Sequence, residues 1–155
     1  MTPKQVGASI CSNGALRRAT RQLGQLYDDV IGPSGLKATQ FGLLYQIKTM
    51  DRPTLRALAD EMVMDQSALG HTLKPLIRDR IVALVPDPLD RRVKRVALTA
   101  RGSATLETAT TNWADAHARF ERVVGAAKAA RLRETLDWIA SADFAEAFTG
   151  PSTDL

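Results

Sequence analysis

One cysteine, two histidines and the lack of any long apolar run each remove a class of protein from consideration. A lone thiol, Cys11, cannot close an intramolecular disulfide or build a structural zinc site. What remains for it is an inert thiol, a redox-sensitive thiol or a bridge between subunits, and the inert role is the default. His71 and His117 stand isolated in the sequence, so no metal-ligand spacing arises, and neither a metal nor a cofactor is expected. No Gly-rich loop cradles phosphate and no Ser-His-Asp order suggests a hydrolase, so the chain does not read as an enzyme. A membrane span needs roughly 18 consecutive apolar residues, which occur nowhere, and Met1 to Ile10 lack the apolar stretch of a signal peptide. A cytoplasmic protein with no membrane partner is the expectation.

What is present suits a folded domain. In 155 residues, 45% are hydrophobic and 25% charged, a mixture that buries a core and stays in solution. The net charge of +4 understates an asymmetry, because residues 1–133 hold all 21 Lys and Arg but only 12 of the 17 acids. A basic body with an acidic tail suits a polyanionic partner, whether DNA, RNA or an anionic membrane, since neutralising phosphates releases condensed counterions.

Apolar residues at Leu16, Ala19, Leu23, Leu26, Tyr27 and Val30 repeat at three-and-four spacing and predict an amphipathic helix over Ala15 to Ile31. Gly32-Pro33-Ser34-Gly35 breaks it, and Thr39 is a cap for a second helix carrying Phe41, Leu44, Tyr45 and Ile47. Thr54 is placed to cap a short third helix with Leu55, Leu58, Ala59 and Met62 on one face. Asp65 or Ser67 can cap a fourth, whose stripe is Leu69, Leu73, Leu76 and Ile77. Two helices so briefly joined make a helix-turn-helix. Pro75 lacks a backbone donor and crowds the preceding turn, which predicts a kink or an end to regular helix near Lys74.

Ile81 to Val85 and a segment with Val93, Val96 and Leu98 read as two strands of a hairpin, with Asp87-Pro88 opening its turn. The tip and returning strand bring Arg91, Arg92, Lys94 and Arg95 against Asp87 and Asp90. Thr99 can cap a long helix through Leu106, Trp113 and Phe120 to Gly125, and a last helix holds Leu132, Leu136, Ile139 and Phe148. The fold class is mainly α with a small β-hairpin: a winged helix-turn-helix lobe over about 36–101, flanked by outer helices over about 10–33 and 102–148. Those outer helices cannot all cover the small central lobe, and pairing with a second copy, a homodimer, would bury their spare apolar faces.

This order of elements resembles the MarR family of winged helix-turn-helix transcriptional regulators over roughly Leu16 to Phe148. The most specific part is Asp90-Arg91-Arg92 followed by Leu98-Thr99 and Gly102, similar to the family's wing signature. Leu36-Lys37-Ala38-Thr39-Gln40-Phe41 and the Leu55 to Leu58-Ala59 face support it. The resemblance implies dimerisation through the terminal helices, entry of the second helix of the helix-turn-helix into the major groove, and a wing that reaches the neighbouring minor groove. It thus implies a repressor-type regulator that binds pseudo-palindromic, double-stranded operator DNA. His71, Gly70 and Pro75 depart from the pattern, since many members place an arginine where His71 stands.

On the recognition helix, Gln66, Ser67, Ala68, His71, Thr72 and Lys74 would face DNA; hydroxyls and amides can bond base edges or phosphates, and Ala68 can touch a thymine methyl. On the wing, Arg91 or Arg92 would enter a narrow minor groove, with Asp90 orienting its neighbour and Lys94 adding charge. The family also implies release by a small aromatic or phenolic ligand, for which Arg18, Tyr45, Trp113 and His117 offer a carboxylate partner, aromatic walls and a polar contact. Two alternatives share the fold: a protein-interaction module, and a thiol-based redox-sensing regulator using Cys11. Aligning Arg21 and Tyr27 with the peroxide-sensing branch puts Asn13, not Cys11, at the sensing position.

Overall fold

The computed structural model describes residues 11–150; residues 1–10, on which the expectation about a signal peptide falls, and 151–155 lie outside the described residues. The chain divides into two compact units, one ending at Ala116 and the other beginning at His117.

The first unit opens with α1 (Ser12–Ile31), three residues ahead of the predicted start, because the Cys11 Sγ accepts the Gly14 N–H at 3.3 Å and caps the helix. Gly32–Ser34 forms a single 3₁₀ turn that closes on Gly35, whose φ of 85° only glycine adopts at no cost. Helix α2 (Ala38–Thr49) follows, and Thr39 is not its cap. Lys37 takes that position, and the orphan donors of the first turn are met by other side chains. Gln40 Oε1 accepts the Lys37 N–H at 3.0 Å, and Asp28 Oδ1, reaching across from α1, accepts the Ala38 N–H at 2.7 Å.

Thr54 caps α3 (Leu55–Glu61) by accepting the Ala57 N–H, and Asp65 caps α4 (Gln66–Arg78) by accepting the Ala68 N–H. Between them the chain reverses at Val63, which has a φ of 51° in a region that a β-branched residue rarely enters. The Met64 N–H to Ala59 carbonyl bond, 2.9 Å, closes that turn. Helix α4 runs through Pro75 to Arg78 and does not end near Lys74. The proline forfeits one intrahelical bond, while Leu73 and Leu76 on either side of it are buried and hold the helix in place. Burying each leucine is worth about 1.5–3 kcal/mol, enough to outweigh the loss.

Strands β1 (Val82–Pro86) and β2 (Lys94–Leu98) pair antiparallel, with Val82 opposite Leu98 and Pro86 opposite Lys94. The outer edge of β2 is not bare. The Val96 N–H donates to the Pro53 carbonyl at 2.8 Å and Thr54 bridges Arg95, so the lead-in to α3 lies along it. Thr99 then starts α5 (Ala100–Val124): its hydroxyl accepts the Gly102 N–H at 2.9 Å and donates to the Arg80 carbonyl at 2.6 Å. Gly102 is obligatory here, because a Cβ on it would sit 1.9 Å from the Ile81 carbonyl oxygen. Leu44, Ile47, Leu58, Leu69, Leu73, Val96 and Leu106 form the centre of one hydrophobic core that draws on every element of this lobe.

The second unit contains the end of α5, α6 (Ala126–Ala140) and α7 (Ala142–Thr149). The sequence predicts one last helix through Phe148. Ser141 interrupts it in an extended conformation, and its hydroxyl accepts the Phe144 N–H at 3.2 Å to begin α7. Glu121 joins His117 at 3.4 Å and Arg133 at 3.0 Å, fastening the end of α5 to α6. His117 is therefore not isolated as its place in the sequence indicates. Trp138 meets Phe144 edge-on at 4.8 Å between centroids, with Phe148 beyond it, and both Trp138 and Phe148 stay exposed. Among the described residues, no helix is long and apolar enough to cross a membrane.

Candidate nucleic-acid interface

Helix α4 turns Leu69, Leu73 and Leu76 inward and leaves Gln66, Ser67, His71 and Lys74 in solvent. Ala68 and Thr72 are half-buried beside that face. The Thr72 hydroxyl donates to the Ala68 carbonyl at 3.0 Å, so it is engaged within its own helix and offers only its lone pairs outward. Gly70 lies in the middle of the exposed residues, where a Cβ would meet nothing within 4 Å. The resulting surface is polar, flat at its centre and flanked by one lysine.

The wing turn is built by its acids. Asp87 is buried, 6% exposed, and its Oδ1 accepts the Leu89 N–H at 2.7 Å and the Asp90 N–H at 3.1 Å. Its Oδ2 pairs closely with Arg95 Nε. The Arg95 guanidinium and these two amides hold the Asp87 carboxyl below the usual carboxylate range. Asp90 repeats the pattern at the surface. It accepts the Arg92 N–H at 3.0 Å and takes Arg92 Nε and Nη2 at 3.1 and 3.3 Å, and Arg92 is the chief reason its carboxyl is also held low. Arg91 and Lys94 are exposed and form no ion pair with another described residue.

Four bases facing two acids thus resolve into two internal pairs and two unpaired cations. Leu89, at the tip, is 97% exposed.

A model of the MarR family matches residues 34–93. An HTH-type transcriptional regulator of Bacillus cereus is 30% identical over 94 residues, which is 61% of this chain and 62% of that protein. The transcriptional regulator MosR of M. tuberculosis, solved in complex with DNA, is 34% identical, with a TM-score of 0.78 over 90% of this chain and 99% of MosR. The chain belongs to the MarR family. A mutant MarR from E. coli, solved with operator DNA, is 26% identical, with a TM-score of 0.74 over 85% of this chain and 96% of that one.

As a MarR-family transcriptional regulator the chain has the winged helix-turn-helix fold that its sequence predicts, and the family is one of regulators, not enzymes. The residues singled out for a ligand are distributed unevenly. Tyr45 and Trp113 both lie against Phe41, at 6.1 and 5.9 Å between centroids, and Tyr45 remains half exposed. Arg18 is exposed on α1, and His117 sits in the second unit beside Glu121. Sequence reasoning misses Phe41 as the ring that joins the two aromatics, because its spacing marks it only as core. Gly70, which departs from the family pattern, leaves the middle of the exposed face of α4 without a side chain. Asp87 and Arg95 enter the sequence only as charges; the Asp-Pro turn signal is visible there, but the partner eight residues later is not.

Proposed function

We propose that this regulator binds double-stranded operator DNA as a homodimer and represses transcription by occupying its site. One observation carries the reading: a single compact lobe presents both the polar outer face of α4 and a wing whose Arg91 and Lys94 have no acidic partner among the described residues. A major groove about 12 Å wide admits α4, and base edges there meet Gln66, Ser67, Ala68 and His71. Thr72 and Lys74 lie toward phosphate. In the adjacent minor groove, where the phosphate field is most negative, Arg91 or Arg92 enters while Asp90 fixes the geometry of Arg92. DNA in the solved complexes of MosR and of the E. coli MarR mutant supports the same use of the fold.

Dimerisation rests on the second unit, whose Val123, Trp138 and Phe148 expose apolar area that a second copy would cover. A twofold pair reads pseudo-palindromic half-sites about 34 Å apart. The deciding experiment is selection of duplexes by the purified protein, followed by a salt titration of the best one. Binding with twofold-related half-sites is expected, and Arg91→Ala should lower the salt slope by about 0.9 for each phosphate left unneutralised. Indifference to every duplex at low ionic strength would instead favour a protein-interaction module.

A second reading, release by a small aromatic ligand, is favoured by the half-exposed Tyr45 ring beside Phe41 and Trp113. Thermal shift against a panel of aromatic acids and phenols tests it; a flat response across the panel removes it.

A further inference from the structure

Of the wing's basic residues, Arg95 alone points its charge inward. Its Nε meets the buried Asp87 carboxylate, and its Nη1 donates to the Arg52 carbonyl at 2.9 Å, 43 residues back along the chain. Arg52 belongs to the loop that leads into the helix-turn-helix and has a φ of 59°, unusual for a residue with a side chain. Asp87 in turn gathers the Leu89 and Asp90 amides, and the Asp87 N–H closes the turn on the Val93 carbonyl at 2.9 Å. A continuous set of bonds therefore runs from the wing tip, through one carboxylate and one guanidinium, to the root of α3.

We propose that Arg95 is a positioning residue for DNA recognition: it fastens the wing turn to the entry of the helix-turn-helix, so that the two groove-reading elements are presented in a fixed relation. The inference rests on the DNA-binding reading above. Two features argue against a direct phosphate contact. The guanidinium is already engaged along two of its edges, and the side chain is 34% exposed where that of Arg92 is 92% exposed. Only arginine suits the task, because a lysine has one nitrogen and cannot reach a carboxylate and a carbonyl at the two ends of a planar fork. Binding a phosphate makes no such demand, and lysine serves there as a point charge.

The test uses the full chain and a duplex selected as above. Both Arg95→Lys and Arg95→Gln are expected to weaken binding about tenfold, the scale of one mismatched base pair, with no change in the slope of log affinity against log salt. Arg91→Ala, run beside them, should lower that slope by about one. Without DNA, amide exchange at Leu89 and Asp90 should quicken in Arg95→Gln while that of Leu73 in α4 stays unchanged, which separates a loosened wing from general unfolding. A slope that falls in Arg95→Gln, affinity restored by lysine, or unchanged exchange at the wing tip would each overturn the proposal. Should the wild-type chain bind no duplex, the DNA reading fails on its own, and the exchange measurement still decides whether Arg95 fastens the wing.

Discussion

The two elements proposed to meet DNA, helix α4 and the wing, are held in place by different physics. Helix α4 is fixed chiefly by three buried leucines, a contact that contains no titrating group. The wing is fixed by carboxylates that gather backbone amides and guanidinium groups, and it owes little to burial beyond its root. A helix needs only an apolar stripe, since its own backbone bonds are internal. A tight turn leaves amides unpaired, and an Asp side chain is the short acceptor that can satisfy them. One lobe therefore carries a helix α4 as stable as its core and a wing as stable as its ion pairs.

Four changes test that contrast. Leu73→Ala, which opens a cavity under α4, should cost about 2–5 kcal/mol in chemical denaturation and unfold the lobe as a whole. Gly102→Ala, at the junction of β1 and α5, should cost about 3 kcal/mol by the same measurement, because the carbonyl of Ile81 is backbone and has little room to move aside.

Acid should loosen the wing turn before it disturbs the leucine-packed middle of α4. The folded carboxyl of Asp87 titrates below its ordinary value of 3.8, so its contribution is full above that value and is lost as pH falls through the lower, folded one. Amide shifts of Leu89 and Asp90, followed by NMR from about pH 5 downward, should move in that window before those of Leu69. Simultaneous movement would mean that the two elements share one source of stability. Smallest of the four, Gly70→Ala should raise stability by up to about 1 kcal/mol, since the added methyl meets nothing and removes backbone freedom from the unfolded chain. Its measure is the melting temperature.

How much is legible in the sequence follows the range of each interaction. Thr54, Asp65 and Thr99 are readable as caps because a cap bonds an amide three residues on, within one turn of sequence. Thr39 misleads for the complementary reason: the Ala38 amide is satisfied by Asp28, ten residues away on another helix. Pro75 is a local rule overridden by the burial of Leu73 and Leu76, and burial is a tertiary quantity that a proline rule omits. Ser141 escapes notice because the apolar spacing of Leu136, Ile139 and Phe148 continues across it, although its hydroxyl caps a new helix.

For the candidate site, the outward residues of α4 follow from periodicity, while the division of the wing's charges into internal pairs and unpaired cations does not. Both Asp87 and Arg95 look like surface charge until the hairpin register sets Val85 opposite Arg95.

The left-handed backbone at Val63 has a consequence for how the helix-turn-helix can vary. A side chain branched at Cβ tolerates that conformation poorly, and this one is largely exposed, so the position sets an angle between two helices without adding a packed side chain. Glycine would hold the same angle at ease. The corner between α3 and α4 is thus a place where thermal tolerance can be tuned by a single codon while the outer face of α4 keeps its chemistry.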